Sequence, residues 1–191
     1  MIRVDVVLPC LDEAAALPDV LARLPEGYRA IVVDNGSSDG SAEVAAEAGA
    51  TVIHEARRGY GSAVHAGLAA AEAPIVAFAD ADASFDLGQL PDVVGPVARG
   101  ERDLMLGSRV MQGRGAWPWH ARVANRYLAR RISAAAHVPL SDLGPMRAAL
   151  APAARVLDLM REQGFTVVHT RETFSPDLSD VQPHRLYRGA D

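Results

Sequence analysis

An α/β fold with a mostly parallel sheet and helices on both faces is what this sequence predicts. Three observations point there. Apolar stretches of strand length alternate along the chain with stretches of helical spacing. The strand stretches are apolar throughout instead of alternating with polar residues, as in strands covered on both sides. Polar residues with chemical potential follow directly on the strand ends, where open parallel sheets bind ligands.

The elements follow in order. "IRVDVVLP" (2–9) is rich in β-branched residues and closes on a proline, so it reads as a buried strand. A helix is expected over 13–24, with Leu17, Val20, Leu21 and Leu24 on one face. "AIVVD" (30–34) is the second strand; the turn "NGSSDGS" and a helix over 42–48, closed by Gly49, come next. "TVIHE" (51–55) is the third strand, and the glycine-bearing turn "RRGYGS" leads to a helix over 63–72. "PIVAFAD" (74–80) is strand four, "LPDVVGPVARG" a broken helix, and "DLMLGSR" (103–109) strand five. The longest helical pattern runs over 119–137.

A length of 191 residues suits one domain, long enough to bury roughly 70% of its unfolded surface. The net charge of −5 argues against general affinity for nucleic acid. One cysteine, Cys10, excludes an internal disulfide and a cysteine-based zinc cluster, which fits a cytoplasmic setting. Arg3 and Asp5 interrupt the first apolar run, so it reads as a strand and not as a signal peptide. No uncharged stretch reaches the ~18 residues of a membrane span, so membrane contact would be peripheral.

The chemistry concentrates at the strand ends. Asp80 and Asp82, two apart in an extended segment, point the same way, and two such charges are costly without a cation or hydrogen bonds. Carboxylates without a nearby cysteine suit Mg2+ or Mn2+; the bland alternative is a solvated acidic loop. Asp86 belongs to the start of the next helix. Asp34 closes a buried strand, where a helix-capping turn is the alternative, and Glu13 is also explained by a favourable charge in a first helical turn. "RRGYGSAVHAGL" looks like a phosphate loop but matches neither the P-loop nor the dinucleotide fingerprint. Backbone N–H groups at the start of its helix could touch a phosphate, while His65 reads as a surface histidine. Arg122, Arg126 and Arg130 form a basic stripe, with Ala124, Leu128 and Ile132 on the other face and Trp117 and Trp119 just before. Either this is a solvated helix face or it lies at an anionic membrane.

In this order, "VVLPCLDEAAAL", "IVVDNGSSDGS", "RRGYGSAVHAGL", "FADADASF", "LGSR" and "SDLGPMRA" resemble the family 2 glycosyltransferases, especially the polyprenyl- and dolichyl-phosphate sugar synthase branch. The resemblance covers 1–148. It implies the nucleotide-sugar-binding fold called GT-A and an inverting, metal-dependent transfer from a GDP- or UDP-sugar, with a polyprenyl phosphate as acceptor at the cytoplasmic membrane face. By position, Pro9, Leu11, Glu13 and Asp34 would hold the nucleoside, with Gly36, Arg58 and Gly59 at the donor. Asp80 and Asp82 would bind the metal on the diphosphate, with Asp82 counted as catalytic. Arg109 would meet a phosphate and Asp142 would sit by the acceptor. An acceptor that is already a phosphate anion needs little help from a general base, which makes Asp142 less essential than Asp82.

Beyond that boundary, 149–191 is an atypical segment resembling a fragment of the isochorismatase-like cysteine hydrolases, in a helix leading to "FTVVHTRE" and "PDLSD". It has neither lysine nor cysteine, so no hydrolase activity is expected of it. A fusion with a truncated transferase body and a divergent native end are both open. Two other functions also stand: a nucleotide-binding protein without catalysis, and a sugar-nucleotide pyrophosphorylase, which would open with a glycine-rich loop where this chain has "PCLDEAAAL".

Overall fold

The computed structural model describes residues 3–108, 119–136 and 146–151, apart from the side chains at 119, 121, 122, 135 and 136. The elements are β1 (Val4–Cys10), α1 (Leu17–Ala22), β2 (Tyr28–Asp34), α2 (Ser41–Glu47), β3 (Thr51–His54), α3 (Tyr60–Ala70), β4 (Ile75–Phe78), a 3-10 turn (Leu87–Gln89), α4 (Leu90–Ala98), β5 (Leu104–Leu106), α5 (Trp119–Ala136) and β6 (Arg147–Leu150). They form one six-stranded sheet in the order β3-β2-β1-β4-β6-β5. The first four strands pair parallel, as their continuous apolar character predicts. Strand β6, which the sequence reading lacked, is antiparallel to both neighbours and lies between β4 and β5. The sheet therefore continues through Leu150, past position 148.

The chain runs outward from β1 through β2 to β3, then returns to place β4 on the other side of β1. At such a reversal open sheets hold their ligand crevice, which here falls beyond the carboxyl ends of β1 and β4. Proline in a central strand is unusual because it lacks a ladder donor. Pro9 is tolerated because the β1–β4 ladder ends at Val7 and Phe78. Only β2 continues alongside, with Val33 opposite Pro9.

Each face of the sheet carries its own core. On one face Val4, Val6 and Leu8 pack with Leu17 and Val20 of α1 and with Leu90, Val93 and Val97 of α4. On the other Val7, Ile31, Val33 and Val76 pack with Ala63 and Leu68 of α3. Gly67 permits the second contact: a Cβ there would stand 2.3 Å from Val7 Cγ1 and 2.9 Å from Val33 Cγ2. Gly67→Ala is therefore expected to cost about 2 kcal/mol by overpacking. In urea denaturation the double variant with Val7→Ala should lose less than the sum of the single losses, since the closest methyls are gone. Strict additivity would contradict the close approach.

Several boundaries differ from expectation for local reasons. Helix α1 starts at Leu17, not at 13, because residues 13–16 form a turn in which Ala16 and Leu17 both donate to the Glu13 carbonyl. Pro18 then stands in the first helical turn, where its missing N–H costs nothing. Helix α3 begins at Tyr60, directly after Gly59. The expected broken helix is a 3-10 turn followed by an α4 that continues past Pro96. Asp86 caps the 3-10 turn by accepting from the Gly88 N–H at 3.0 Å, as its assignment to the next helix requires.

Asp5 is buried in the middle of this framework. Its carboxylate accepts two hydrogen bonds from Arg29, its register partner on β2, at 2.8 and 2.7 Å. It also accepts from the Glu72 and Ala73 N–H groups in the α3–β4 connection, at 2.7 and 2.9 Å. One side chain thus binds two strands and the connection that leads into a third.

Candidate active site

The loops after β1 and β2 are joined by side chains. Asp12 N–H donates to Ser37 Oγ at 3.0 Å, Glu13 N–H to Ser41 Oγ at 2.8 Å and Ala14 N–H to Asp39 Oδ2 at 2.9 Å. In return, Asp12 Oδ1 accepts from the Ser38 N–H at 2.7 Å, while within the second loop Asp39 Oδ1 accepts from the Ser41 N–H at 3.0 Å. The serines of "NGSSDGS" thus hold one loop against the next as well as turning the chain. Glu13 is fixed through its backbone, with Pro9 and Leu11 half-buried just before it.

Asp34, at the end of β2, is buried. Its Oδ1 accepts from the Ser37 N–H at 3.0 Å, and its Oδ2 lies 3.2 Å from His54 Nδ1 on β3. Burial alone would raise this carboxyl, but the hydrogen bonds from Ser37 and His54 outweigh it and hold the group below its ordinary range. Asp34 therefore makes the turn contact expected of it and still presents an ionised carboxylate at the crevice. Cys10 stands near this cluster, and burial pushes its thiol up to about 11, which makes it structural and not nucleophilic.

Asn35 fastens the glycine-bearing loop. Its amide donates to the Glu55 and Arg57 carbonyls at 2.8 and 2.9 Å, and its oxygen accepts from the Gly59 N–H at 2.7 Å. Gly36, at φ +93°, lies beside the guanidinium of Arg58, which a Cβ on it would approach to 3.9 Å. Asp34, Gly36, Arg58 and Gly59, singled out separately in the sequence, are thus brought together by an asparagine read only as part of a turn. Asn35→Ala removes three hydrogen bonds of a buried side chain and should cost about 2 kcal/mol. Hydrogen exchange at the Gly59 amide should rise in that variant more than exchange in β1 does.

The carboxylate pair sits across the crevice, beyond β4. Ala79 and Ala81 are buried in the core, while Asp80 and Asp82 are half-buried, so the acids share the opposite side. Asp82 Oδ1 accepts from the Ser84 N–H at 3.0 Å, and Asp80 Oδ1 from the Tyr60 hydroxyl at 3.4 Å. Since Tyr60 follows Gly59, three consecutive residues of the glycine-bearing loop connect the Asp34 side of the crevice to the Asp80 side. Desolvation and the charges of Asp80 and Asp82 raise the Tyr60 phenol against an opposing pull from Arg147, and since 53% of the residue is exposed the first of these acts weakly. Asp12 and Ala83 are the non-glycine residues with positive φ among those described, at 56° and 58°. They lie in the two loops that flank the crevice, where strained backbone tends to collect.

Among the described residues no three His, Cys, Asp or Glu side chains gather into a cation cage. The Asp80–Asp82 pair nevertheless fits Mg2+ or Mn2+, which take one or two carboxylates and complete their shell with water and substrate phosphate. Arg109 and Asp142 lie outside the described residues, as do the side chain of Arg122, Trp117, and the segment from 152 onward with its expected helix and strand. Tyr60, Asn35, Arg147 and the serine–aspartate clasp were missed in the sequence. A signal existed for Asn35: it is a polar residue directly following a buried strand's terminal acid.

The model of the family described as glycosyl transferase family 2 matches residues 5–150. The chain belongs to that family. An uncharacterized glycosyltransferase of Mycobacterium tuberculosis is 51% identical over 146 residues, which cover 76% of this chain and 66% of that protein. The dolichyl-phosphate hexose transferase of Haloferax volcanii is 33% identical over 131 residues, covering 67% of this chain and 57% of the relative. The chain thus spans only part of the length of these family members. Among solved structures, glucosyl-3-phosphoglycerate synthase from Mycobacterium tuberculosis, in complex with Mn2+, UDP-glucose and phosphoglyceric acid, superposes with a TM-score of 0.64. It shares 24% identity over 89% of this chain and 73% of that one, a likeness of fold. The fold is thus of the GT-A type, and the resemblance read from the strand-end motifs holds for the family.

Proposed function

We propose that this chain transfers a glycosyl group from a GDP- or UDP-sugar to a polyprenyl phosphate, with inversion and with Mg2+ or Mn2+ on the diphosphate. The observation that carries the reading is the placement of Asp80 and Asp82, turned away from the core beyond β4 at the sheet's reversal point, on the same carboxyl edge as Asp34 at the end of β2. In the transfer, an acceptor oxygen forms a bond to the anomeric carbon as the bond from that carbon to the β-phosphate oxygen breaks. The bonding pair leaves on the nucleoside diphosphate. A divalent cation would supply Lewis acidity to that leaving group, with Asp80 and Asp82 holding it. Asp34, Glu13, Pro9 and Leu11 line the nucleoside end, with Gly36, Arg58 and Gly59 beside them; Arg109 takes a phosphate and Asp142 the acceptor side. The family supports transfer in general, and the Haloferax relative's name supports a lipid phosphate acceptor.

A pyrophosphorylase is disfavoured by the β1 loop. The N–H groups of Asp12, Glu13 and Ala14, which would have to cradle a phosphate there, already donate to Ser37, Ser41 and Asp39. Calorimetric titration with GDP and UDP, with and without Mn2+, tests the donor site: metal-dependent binding is expected, and absence of binding to either would sink the reading. Release of nucleoside diphosphate from GDP-mannose or UDP-glucose, stimulated by a polyprenyl phosphate, tests transfer. Binding without release would make the chain a nucleotide-binding protein, a role that its partial coverage of the family members keeps in view.

The acceptor proposal calls for a membrane surface, at the cytoplasmic face where the unpaired Cys10 is at home. Among the described residues no helix is long and apolar enough to cross a membrane. Helix α5 instead exposes Val123, Tyr127 and Leu128 together with Arg126, Arg130 and Arg131, while Ala129 faces the body. Arginines flanking exposed apolar residues suit an anionic lipid surface. Co-sedimentation with phosphatidylglycerol vesicles should weaken for Arg126→Glu; unchanged binding would refute the contact. The segment expected to be distinct from the transferase body from 149 onward is here proposed to begin after Leu150, where β6 and the family match both end; reading the source DNA through the codons for 147–152 checks it.

A further inference from the structure

Arg147 is the residue whose position the family motifs leave without a role in the site as built above. It is the first residue of β6, half-buried, and the antiparallel register sets it opposite Phe78 on one side and Leu106 on the other. Because β6 runs against its neighbours, its beginning lies at the carboxyl ends of β4 and β5, on the edge that carries Asp80, Asp82, Gly107 and Ser108. Alternation along the strand fixes the direction as well. Ala148 belongs to the core on the α1 and α4 face and Ala149 to the core on the α3 face, so Arg147 shares the α3 face with Ala149. Tyr60 begins α3 on that face, and its hydroxyl donates to Asp80 Oδ1 at 3.4 Å.

We propose that Arg147 is a phosphate-binding residue of this site, engaging an anionic oxygen either on the leaving diphosphate or on an acceptor phosphate. The inference rests on the donor-site reading above. The charges of Asp80 and Asp82 cancel that of one divalent cation, so the negative charge that a nucleoside diphosphate or a phosphate acceptor brings beside them calls for a further cation. A planar guanidinium with its donors in a fixed fork suits such an oxygen better than an ammonium does. A strand also holds it more firmly than a loop would. Without ligand, Arg147, Asp80 and Asp82 each have polar or electrostatic partners already.

The test uses the full chain with Arg147→Gln and Arg147→Lys, each first checked by thermal melting so that loss of fold is not read as loss of function. GDP and UDP are titrated with Mn2+, and inorganic phosphate is tested as a competitor of a polyprenyl phosphate in the release assay. A tenfold or greater loss of nucleoside diphosphate affinity in Arg147→Gln, partly restored in Arg147→Lys, assigns the residue to the leaving diphosphate. Unchanged diphosphate affinity with at least a tenfold rise in KM for the polyprenyl phosphate, and weaker competition by inorganic phosphate, assigns it to the acceptor. If both variants fold and neither quantity moves by more than twofold, the inference is overturned while the donor-site reading stands. If the unaltered chain binds no nucleoside diphosphate, both fall together. If Arg147→Gln unfolds, Arg147→Lys alone decides by the same two measurements.

Discussion

Asp82→Asn is expected to lower metal-dependent transfer by about 100-fold or more, the scale on which transition-state charge stabilisation operates. Asparagine keeps the size of the side chain and can still accept the Ser84 N–H that Asp82 Oδ1 holds at 3.0 Å. The loop with its strained Ala83 should therefore keep its shape, and the loss would report the missing charge. Affinity for Mn2+ in the presence of UDP or GDP should fall with the rate, and excess Mn2+ should recover part of it. Asp86→Asn is the control. Asp86 caps the 3-10 turn through Gly88 and has no place in the carboxylate pair. Its rate should stay within about twofold, and equal losses in the two variants would mean that acidity of the whole loop matters and not the pair.

The largest expected effect on stability comes from Asp5→Ala, about 3 kcal/mol, at the low end for removing one partner of a buried ion pair. The low end applies because Arg29, with 41% of its side chain exposed, recovers hydration, while the Glu72 and Ala73 amides lose their acceptor. The same site predicts a pH dependence. Burial alone would raise the Asp5 carboxyl, but Arg29 and the two amides more than reverse this and lower it. A carboxyl lowered by folding contributes stability in full above its unfolded value of about 3.9 and loses it as pH falls through the folded value. Urea midpoints of the unaltered chain should therefore drop below about pH 4. The Asp5→Asn variant, already weaker at neutral pH, should follow a flatter course. Some slope will persist, because Asp34 and Asp39 are lowered too.

The parts of this molecule that were legible in its sequence are those decided by nearest neighbours along the chain. The apolar runs of β1, β2 and β4 declared strands buried on both faces, and their terminal acids declared the edge where a ligand binds. Asp80, Asp82 and Asp34 were found because a charge at the end of such a strand has few structural reasons to be there. What was missed depends on contacts between distant segments. "RAAL" carries no β-branched residue and is four residues long, so only its place between β4 and β5 makes it a strand. Ser37, Ser41 and Asp39 look like any turn until the β1 loop presents its N–H groups to them. Helix α1 began late for a local reason instead, the turn over 13–16 that closes on the Glu13 carbonyl. Tyr60 gave no sign of a role, since its partner Asp80 lies twenty residues away.

The antiparallel insertion of β6 also has a consequence in time. Among the described residues strand β5 pairs with β6 alone, and β6 reaches β4 from much later in the chain. As the polypeptide leaves the ribosome, β1 to β4 can join into a parallel unit that already bears Asp34, Asp80 and Asp82. The Gly107–Ser108 corner has no strand to dock on until residues 147–150 emerge, and the long loop closed at that moment makes this step the slow one. A nascent chain therefore holds its acids at the open edge before it holds its arginine there. During that interval β4 is an unpaired edge, exposed to association with other chains.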